Sequence, residues 1–170
     1  MSHKRLQKDF YTLSALEAAP LLLGKFLCRN INGTIVKYRI TETEAYYGTS
    51  DTACHAHKCR SARTEIMFGE GGFTYIYLCY GIHYLLNVVT GKADFPQAVL
   101  IRGVEGCNGP GKLTKALQIT KTLACENLIL SNQLWIEDDG FVPNYKTTPR
   151  IGIAYATEEY RNKLWRFVVE

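Results

Sequence analysis

Apolar and polar residues interleave from Thr34 to Tyr46, the pattern of a strand with one buried face. Phe26 to Ile31 reads the same way, and Asn32-Gly33 between the two runs is a strong hairpin signal. Phe73 to Tyr80 and Ile82 to Thr90 predict a second antiparallel pair hinged at Gly81, and Gln97 to Glu105 a further apolar strand. Shorter strands are expected at Leu134 to Glu137, Ile151 to Tyr155 and Leu164 to Val169. Helix signals are fewer. Ser14-Ala-Leu-Glu17 is a capping-box pattern opening a helix through Leu23, which Pro20 keeps short and Gly24 ends. Gly109-Pro110 starts a second helix, expected to reach about Thr120. Residues 1–8 are expected as a flexible lead-in. With no repeat, low-complexity run or linker, residues 1–170 predict one mixed α+β domain rich in antiparallel hairpins.

The densest chemistry falls on residues 40–57. Glu42, Glu44 and Tyr46 share one face of the predicted strand, and Tyr47 points to the other. Gly48 then opens a polar loop carrying His55 and His57. That loop runs to Gly72, is basic at Lys58, Arg60 and Arg63, and is long enough to expect a functional role. Composition sharpens this only a little. Twenty basic against sixteen acidic residues leave a charge of +4, which permits a polyanionic partner. Eleven tyrosines against seven phenylalanines suit wet, aromatic-lined sites, although a half-buried sheet accounts for most of them. No stretch has the length of a membrane span, and Met-Ser-His-Lys-Arg is followed by no apolar signal core, so an intracellular protein is expected. The six scattered cysteines are expected as thiols.

Three constellations compete. Cys54-His55-Ala56-His57-Lys58-Cys59 invites a metal, but four ligands crowded into six residues have trouble surrounding one ion, and no metal site is expected. Gly106-Cys-Asn-Gly-Pro-Gly-Lys112 follows the phosphate-loop pattern. Leu113 replaces its magnesium-binding Ser or Thr, however, and Pro110 removes a backbone donor. What survives is a helix start flanked by Lys112 and Lys115, able to hold a backbone phosphate of a nucleic acid. In the hairpin Phe73 to Tyr84, Tyr75 and Tyr77 share a face, while Tyr80 lies at the turn. An aromatic there either wedges between stacked bases or folds back on its own sheet.

Taken in order, these segments resemble the alkyladenine (3-methyladenine) DNA glycosylase family. The resemblance rests on Ile-Thr-Glu-Thr-Glu-Ala-Tyr46 with His55 following, Met67-Phe68, Tyr75-Ile-Tyr77-Leu-Cys-Tyr80-Gly81 with Asn87, Val99-Leu-Ile-Arg102, Gly109-Pro-Gly-Lys-Leu113, Arg150-Ile-Gly-Ile153 and Arg166-Phe-Val. It covers nearly the whole chain from about residue 8. It implies an α+β fold on a curved, barrel-like antiparallel sheet with flanking helices and a protruding hairpin that enters the DNA minor groove.

The same resemblance implies the roles. Tyr80, with Ile82 and His83 beside it, fills the gap left by a flipped nucleotide. Tyr46 stacks on one face of the base, His55 and Tyr77 on the other, and Asn87 hinders guanine. Glu44 activates the attacking water, placed by Arg102 and the backbone carbonyl near Ile153. Lys112, Lys115, Arg60 and Arg63 are expected on the DNA backbone, and Glu42 receives no role. His83 departs from the aromatic of the vertebrate enzymes, and the compact chain looks bacterial. Expected, then, is a monomeric, cofactor-free, monofunctional glycosylase acting on alkylated or deaminated purines in double-stranded DNA. Two rivals stand beside it: a catalytically silent binder of distorted DNA, and a glycoside hydrolase using Glu42 and Glu44, whose separation along a strand is roughly 6.5 to 7 Å.

Overall fold

The computed structural model describes residues 3–170, so the first two residues of the expected lead-in lie outside the described part. From Lys4 that lead-in is tied down: β1 (Lys4–Arg5) pairs with a later strand, Leu6 is buried, and α1 (Lys8–Tyr11) follows directly. α2 (Ala15–Leu22) begins at the predicted capping box, with Ser14 and Glu17 satisfying each other's backbone donors. Leu23 N–H turns back to the Pro20 carbonyl, and the Ala19 carbonyl accepts from Thr43 Oγ1 at 2.8 Å. That bond ties the end of the helix to the strand carrying the carboxylates.

β2 (Phe26–Ile31) and β3 (Thr34–Tyr47) form the Asn32-Gly33 hairpin in the expected register. The 48–72 loop holds turns and one 3-10 helix, Glu65–Phe68. β4 (Thr74–Cys79) and β5 (His83–Val89) make the second hairpin, followed by β6 (Gln97–Val104), the short β7 (Cys107–Asn108) and α3 (Pro110–Ala116). β8 (Leu134–Asp138), β9 (Tyr145–Thr148), α4 (Glu158–Asn162) and β10 (Arg166–Val169) complete the chain. Two expectations are corrected. α3 stops at Ala116, short of Thr120, because the chain turns at Leu117 and Gln118 takes a left-handed φ of 49°. Residues 151–155 form bends and turns, not a strand, and β9, α1 and α4 were not anticipated.

Among the described residues ten strands join one open antiparallel sheet, mixed with four α-helices. β3 is its spine. Its first half pairs with β2 on one edge; its second half pairs with β10 on that edge and β6 on the other. Near Glu42 the β3–β6 register shifts and shifts back, so Glu42 faces Gly103 while Thr43 faces Ile101. Arg102 falls inside that irregularity, the usual device for re-aiming a side chain. The main core, including Leu22, Leu27, Ile40, Ile101, Leu113 and Leu117, packs α2 and α3 on the sheet. Each such buried aliphatic contributes about 1.5–3 kcal/mol of transfer free energy. A smaller apolar cluster of Cys54, Ala56, Met67, Tyr75, Val89 and Ala98 fixes the 48–72 loop against the sheet, below Tyr46 and Tyr77.

Candidate active site

Glu44 is fully buried near the C-terminal end of β3, flanked by Leu100 on β6 and Arg166 on β10. One carboxylate oxygen accepts the Ile151 backbone N–H at 2.8 Å, and the other accepts the Tyr46 hydroxyl at 2.9 Å. Arg102 Nε lies 3.6 Å from Glu44 and 2.9 Å from Glu42. Burial raises the Glu44 pKa above its ordinary value; Arg102, the Ile151 N–H, the Tyr46 hydroxyl and Arg150 oppose this. A desolvated carboxylate with partners but free acceptor capacity takes a proton more readily than an exposed one.

Tyr46 is two residues along and half-buried, its pKa pushed well up, first by burial and then by Glu44. Behind its ring stands Arg150, whose guanidinium makes a two-pronged ion pair with Asp51 at 2.7 and 2.9 Å and also donates to the Ala45 carbonyl at 2.9 Å. In front, a small pocket is lined by Tyr46, Ala53, His55, Met67, Tyr75, Tyr77, Asn87, Ala98 and Tyr155. His55 Nδ1 meets the Tyr75 hydroxyl at 2.9 Å, and its ring packs edge-on against Tyr77 with centroids 4.5 Å apart. Burial first, and Arg63 second, lower the His55 pKa to about 4, so the imidazole is neutral at physiological pH. Asn87 is buried and donates to the Tyr75 carbonyl, which fixes its amide at the pocket wall.

The pocket opens into a groove of about 720 Å³ that runs from Tyr46, His55 and Arg102 past Ile151 to the hairpin tip and the start of α3. At the tip, Tyr80, Gly81 and Ile82 connect the paired Cys79 and His83, and Tyr80 and Gly81 both have positive φ, 51° and 69°. For a tyrosine this is a strained conformation, and the ring is 89% exposed. Ile82 and His83 beside it are exposed too. His83 packs on Gly111, where an added Cβ would come within 2.8 Å of the imidazole, so the glycine lets α3 approach the hairpin.

A family model described as Methylpurine-DNA glycosylase (MPG) matches residues 9–107 and 104–170 of this chain. The chain belongs to the methylpurine-DNA glycosylase family. It is similar to proteins named "Putative 3-methyladenine DNA glycosylase" in three organisms. The Natranaerobius thermophilus protein is 39% identical, over 97% of this chain and 95% of its own. The Borrelia garinii subsp. bavariensis protein is 43% identical, over 97% and 96%. The Wolbachia pipientis wMel protein is 43% identical, over 98% and 92%.

The residues that resemblance to the methylpurine-DNA glycosylase family singles out are distributed unevenly over this geometry. Tyr46, His55, Tyr77 and Asn87 share the pocket, while Glu44 lies beneath the groove floor formed by Tyr46, Leu100, Arg102 and Ile151. Ile151 and Ile153 both border the groove, in different ways. The Ile151 backbone N–H donates to Glu44, and Ile153, buried in a cluster with Ala53 and Ala156, lines the groove wall. Lys112 and Lys115 are exposed on α3, and Lys112 lines the groove. Arg63 is exposed beside Tyr77 and His55. Arg60 differs: Glu65 occupies its fork at 2.6 and 2.8 Å and Asp94 adds a third contact, so its charge is already matched. Among the described residues no three His, Cys, Asp or Glu side chains gather as metal ligands, and no helix is long and apolar enough to cross a membrane. Tyr155, Asp51, Arg150 and Arg166 were not anticipated as parts of the site. Arg150 and Arg166 stood in motifs that carry the resemblance without a role, and for Asp51 the only signal was a charge in an otherwise small, polar segment.

Proposed function

We propose that this protein is a DNA glycosylase that flips an alkylated or deaminated purine out of double-stranded DNA and hydrolyses its N-glycosidic bond, leaving an abasic site. The observation that carries the reading is the buried Glu44 carboxylate, held by Tyr46 and Ile151 beside Arg102, directly under an aromatic pocket, in a member of this family. Chemistry on a paired base requires extrusion, and extrusion requires both a plug and a pocket. Tyr80 is the plug, an exposed aromatic at the end of a protruding hairpin. Tyr46, His55 and Tyr77 form the pocket. Alkylation at a ring nitrogen makes the purine cationic, which aromatic faces favour by about 0.5–2 kcal/mol. The neutral His55 adds no repulsion to that cation.

The positive charge also makes the base a good leaving group, so a carboxylate and one water suffice. Water reaches Glu44 between Arg102 and Ile151, from the groove side. Glu44 takes its proton as the bond to the sugar breaks, a contribution typically of about 10²- to 10⁴-fold. The test is Glu44→Gln on a duplex carrying one damaged purine, under single-turnover conditions with enzyme in excess. Lesion binding is expected to persist while base release falls by about the general-base factor of 10²- to 10⁴-fold. Release at the wild-type rate overturns Glu44 as the base. Lesion binding with no release by the wild-type protein favours the silent-binder alternative.

A further inference from the structure

Glu42 is the carboxylate that this mechanism leaves unused, yet it is not an idle surface group. Its Oε1 accepts from Arg102 Nε at 2.9 Å and from Arg166 Nε at 2.5 Å. Arg102 comes from β6 and Arg166 from β10, the two strands that sandwich β3, so one oxygen ties together both neighbours of the strand bearing Glu44. Arg166 is also anchored at its other end, where Nη1 donates to Thr148 Oγ1 on β9 at 3.0 Å. All three charged side chains are mostly shielded from solvent. Two arginines therefore converge on one Glu42 oxygen, and both bonds are charge-assisted.

We propose that Glu42 is a positioning residue for the reaction, holding Arg102 aside so that Glu44 remains a weakly paired base while the Arg102 Nη groups face the groove. The inference rests on Glu44 acting as the base. Three observations carry it. Arg102 Nε is within hydrogen-bond reach of Glu42 and, at 3.6 Å, outside it for Glu44. Among the described residues, Glu42 is the only group that accepts a hydrogen bond from the Arg102 side chain. Arg166 holds Glu42 through a side-chain ion pair from β10 and does not line the groove. Without the Glu42 charge, Arg102 would close on Glu44 as its sole carboxylate, making it a poorer base and blocking the way in for water.

The groups facing Glu44 fix the sign. From β3 there are Glu42 and Tyr46; from β6, Arg102; from β10, Arg166; from the segment before α4, Arg150, the Ile151 N–H and Tyr155; from β4, Tyr77. Removing the Glu42 charge takes a negative group away and gives Arg102 wholly to Glu44. Both changes favour the ionised Glu44, so its pKa falls and the acid limb of the rate profile moves to lower pH. Release of a cationic methylated purine from alkylated DNA, measured in single turnover across pH with the full chain, reads this directly.

Glu42→Gln is expected to bind DNA as the wild type does, to lose about 10- to 100-fold in rate as expected for a misplaced group, and to shift the acid limb downward. A purely structural Glu42 would lower thermal stability and leave the limb in place, and that outcome overturns the proposal. Arg166→Leu supplies a second reading should Glu42→Gln fail to fold. It frees Glu42 to hold Arg102 alone, leaves Glu44 more weakly paired, and moves the limb upward; an unmoved limb again overturns it. If Glu44→Gln releases bases at the wild-type rate, the underlying assignment fails, whatever Glu42→Gln does.

Discussion

The guanidinium of Arg150 sits 4.7 Å from the centroid of the Tyr46 ring, and Asp51 neutralises it from the far side. Both members of the ion pair are at most 5% exposed. A bare cation behind Tyr46 would repel a cationic base stacked in front, so the Asp51 charge matters to the pocket as well as to the fold. Replacing one partner leaves the other as an uncompensated buried charge, which costs about 3–5 kcal/mol. Asp51→Asn is therefore expected to lose stability on that scale in denaturant unfolding. In the surviving folded protein, affinity for a cationic lesion should fall more than affinity for hypoxanthine. Equal losses for the two lesions would assign the pair to structure alone.

Glu44 lowers the stability of the fold it serves. Its pKa is raised in the folded state, chiefly by burial, so the ionised form is the disfavoured one. Its stabilising contribution is thus complete below the ordinary value of 4.5 and is lost as pH rises through the raised value. Glu44→Gln keeps the shape and an acceptor for Ile151 while removing the buried charge. The variant should melt a few degrees above the wild type at neutral pH, with the gap closing below about pH 4.5 where both side chains are neutral. Thermal melts of the two proteins across pH check this, and a variant less stable at neutral pH contradicts it. A gain in stability joined to a loss of base release is the trade expected of a strained catalytic group.

Much of this site was readable from the order of residues because it is local. Glu44, Tyr46 and His55 fall within twelve positions, and a strand followed by a glycine turn is enough to bring them together. The β3 and β4–β5 hairpins were readable for the same reason, through Asn32-Gly33 and the turn at Gly81. What escaped is long-range. Arg150 reaches Asp51 across 99 positions, and Arg166 reaches Glu42 across 124. Neither pair leaves a pattern in a single sequence. The apolar run Ile151 to Tyr155 looked like a strand, yet Gly152 takes a left-handed φ of 76° and the run folds over the site with Ile153 inward and Tyr155 outward. A short apolar run cannot be told from such a turn by periodicity.

Tyr80 occupies a backbone conformation that suits asparagine or glycine, at a cost of roughly 1–2 kcal/mol for a bulky residue. Asparagine tolerates a positive φ far better than a bulky aromatic residue does. Tyr80→Asn is expected to stabilise the protein by about that 1–2 kcal/mol, since the exposed ring has little native packing to lose. The same change removes the plug, so affinity for a lesion duplex should drop while affinity for single-stranded DNA holds. Denaturant unfolding and binding titrations on one preparation test both halves. A variant that is less stable would show that the ring is tied to its own sheet after all, and unchanged duplex affinity would remove it from the flipping step.

The four basic residues first assigned to the DNA backbone separate by what they already touch. Lys112 and Lys115 lie on the exposed face of α3 and form no salt bridge among the described residues, and Lys112 borders the groove. Arg60 is matched by Glu65 and Asp94, so a phosphate gains little there. Each lysine that neutralises a phosphate releases about 0.9 counterion, which appears as the slope of log affinity against log salt. Lys112→Ala and Lys115→Ala are each expected to flatten that slope by about 0.9, and the double variant by about twice as much. Arg60→Ala should leave it unchanged. The fluorescence anisotropy of a labelled duplex across a salt series measures all four proteins against the wild type. Loss of slope in Arg60→Ala with none in the lysine variants would move the DNA path to the other flank of the hairpin, where Arg60 and Lys121 border a groove of about 960 Å³.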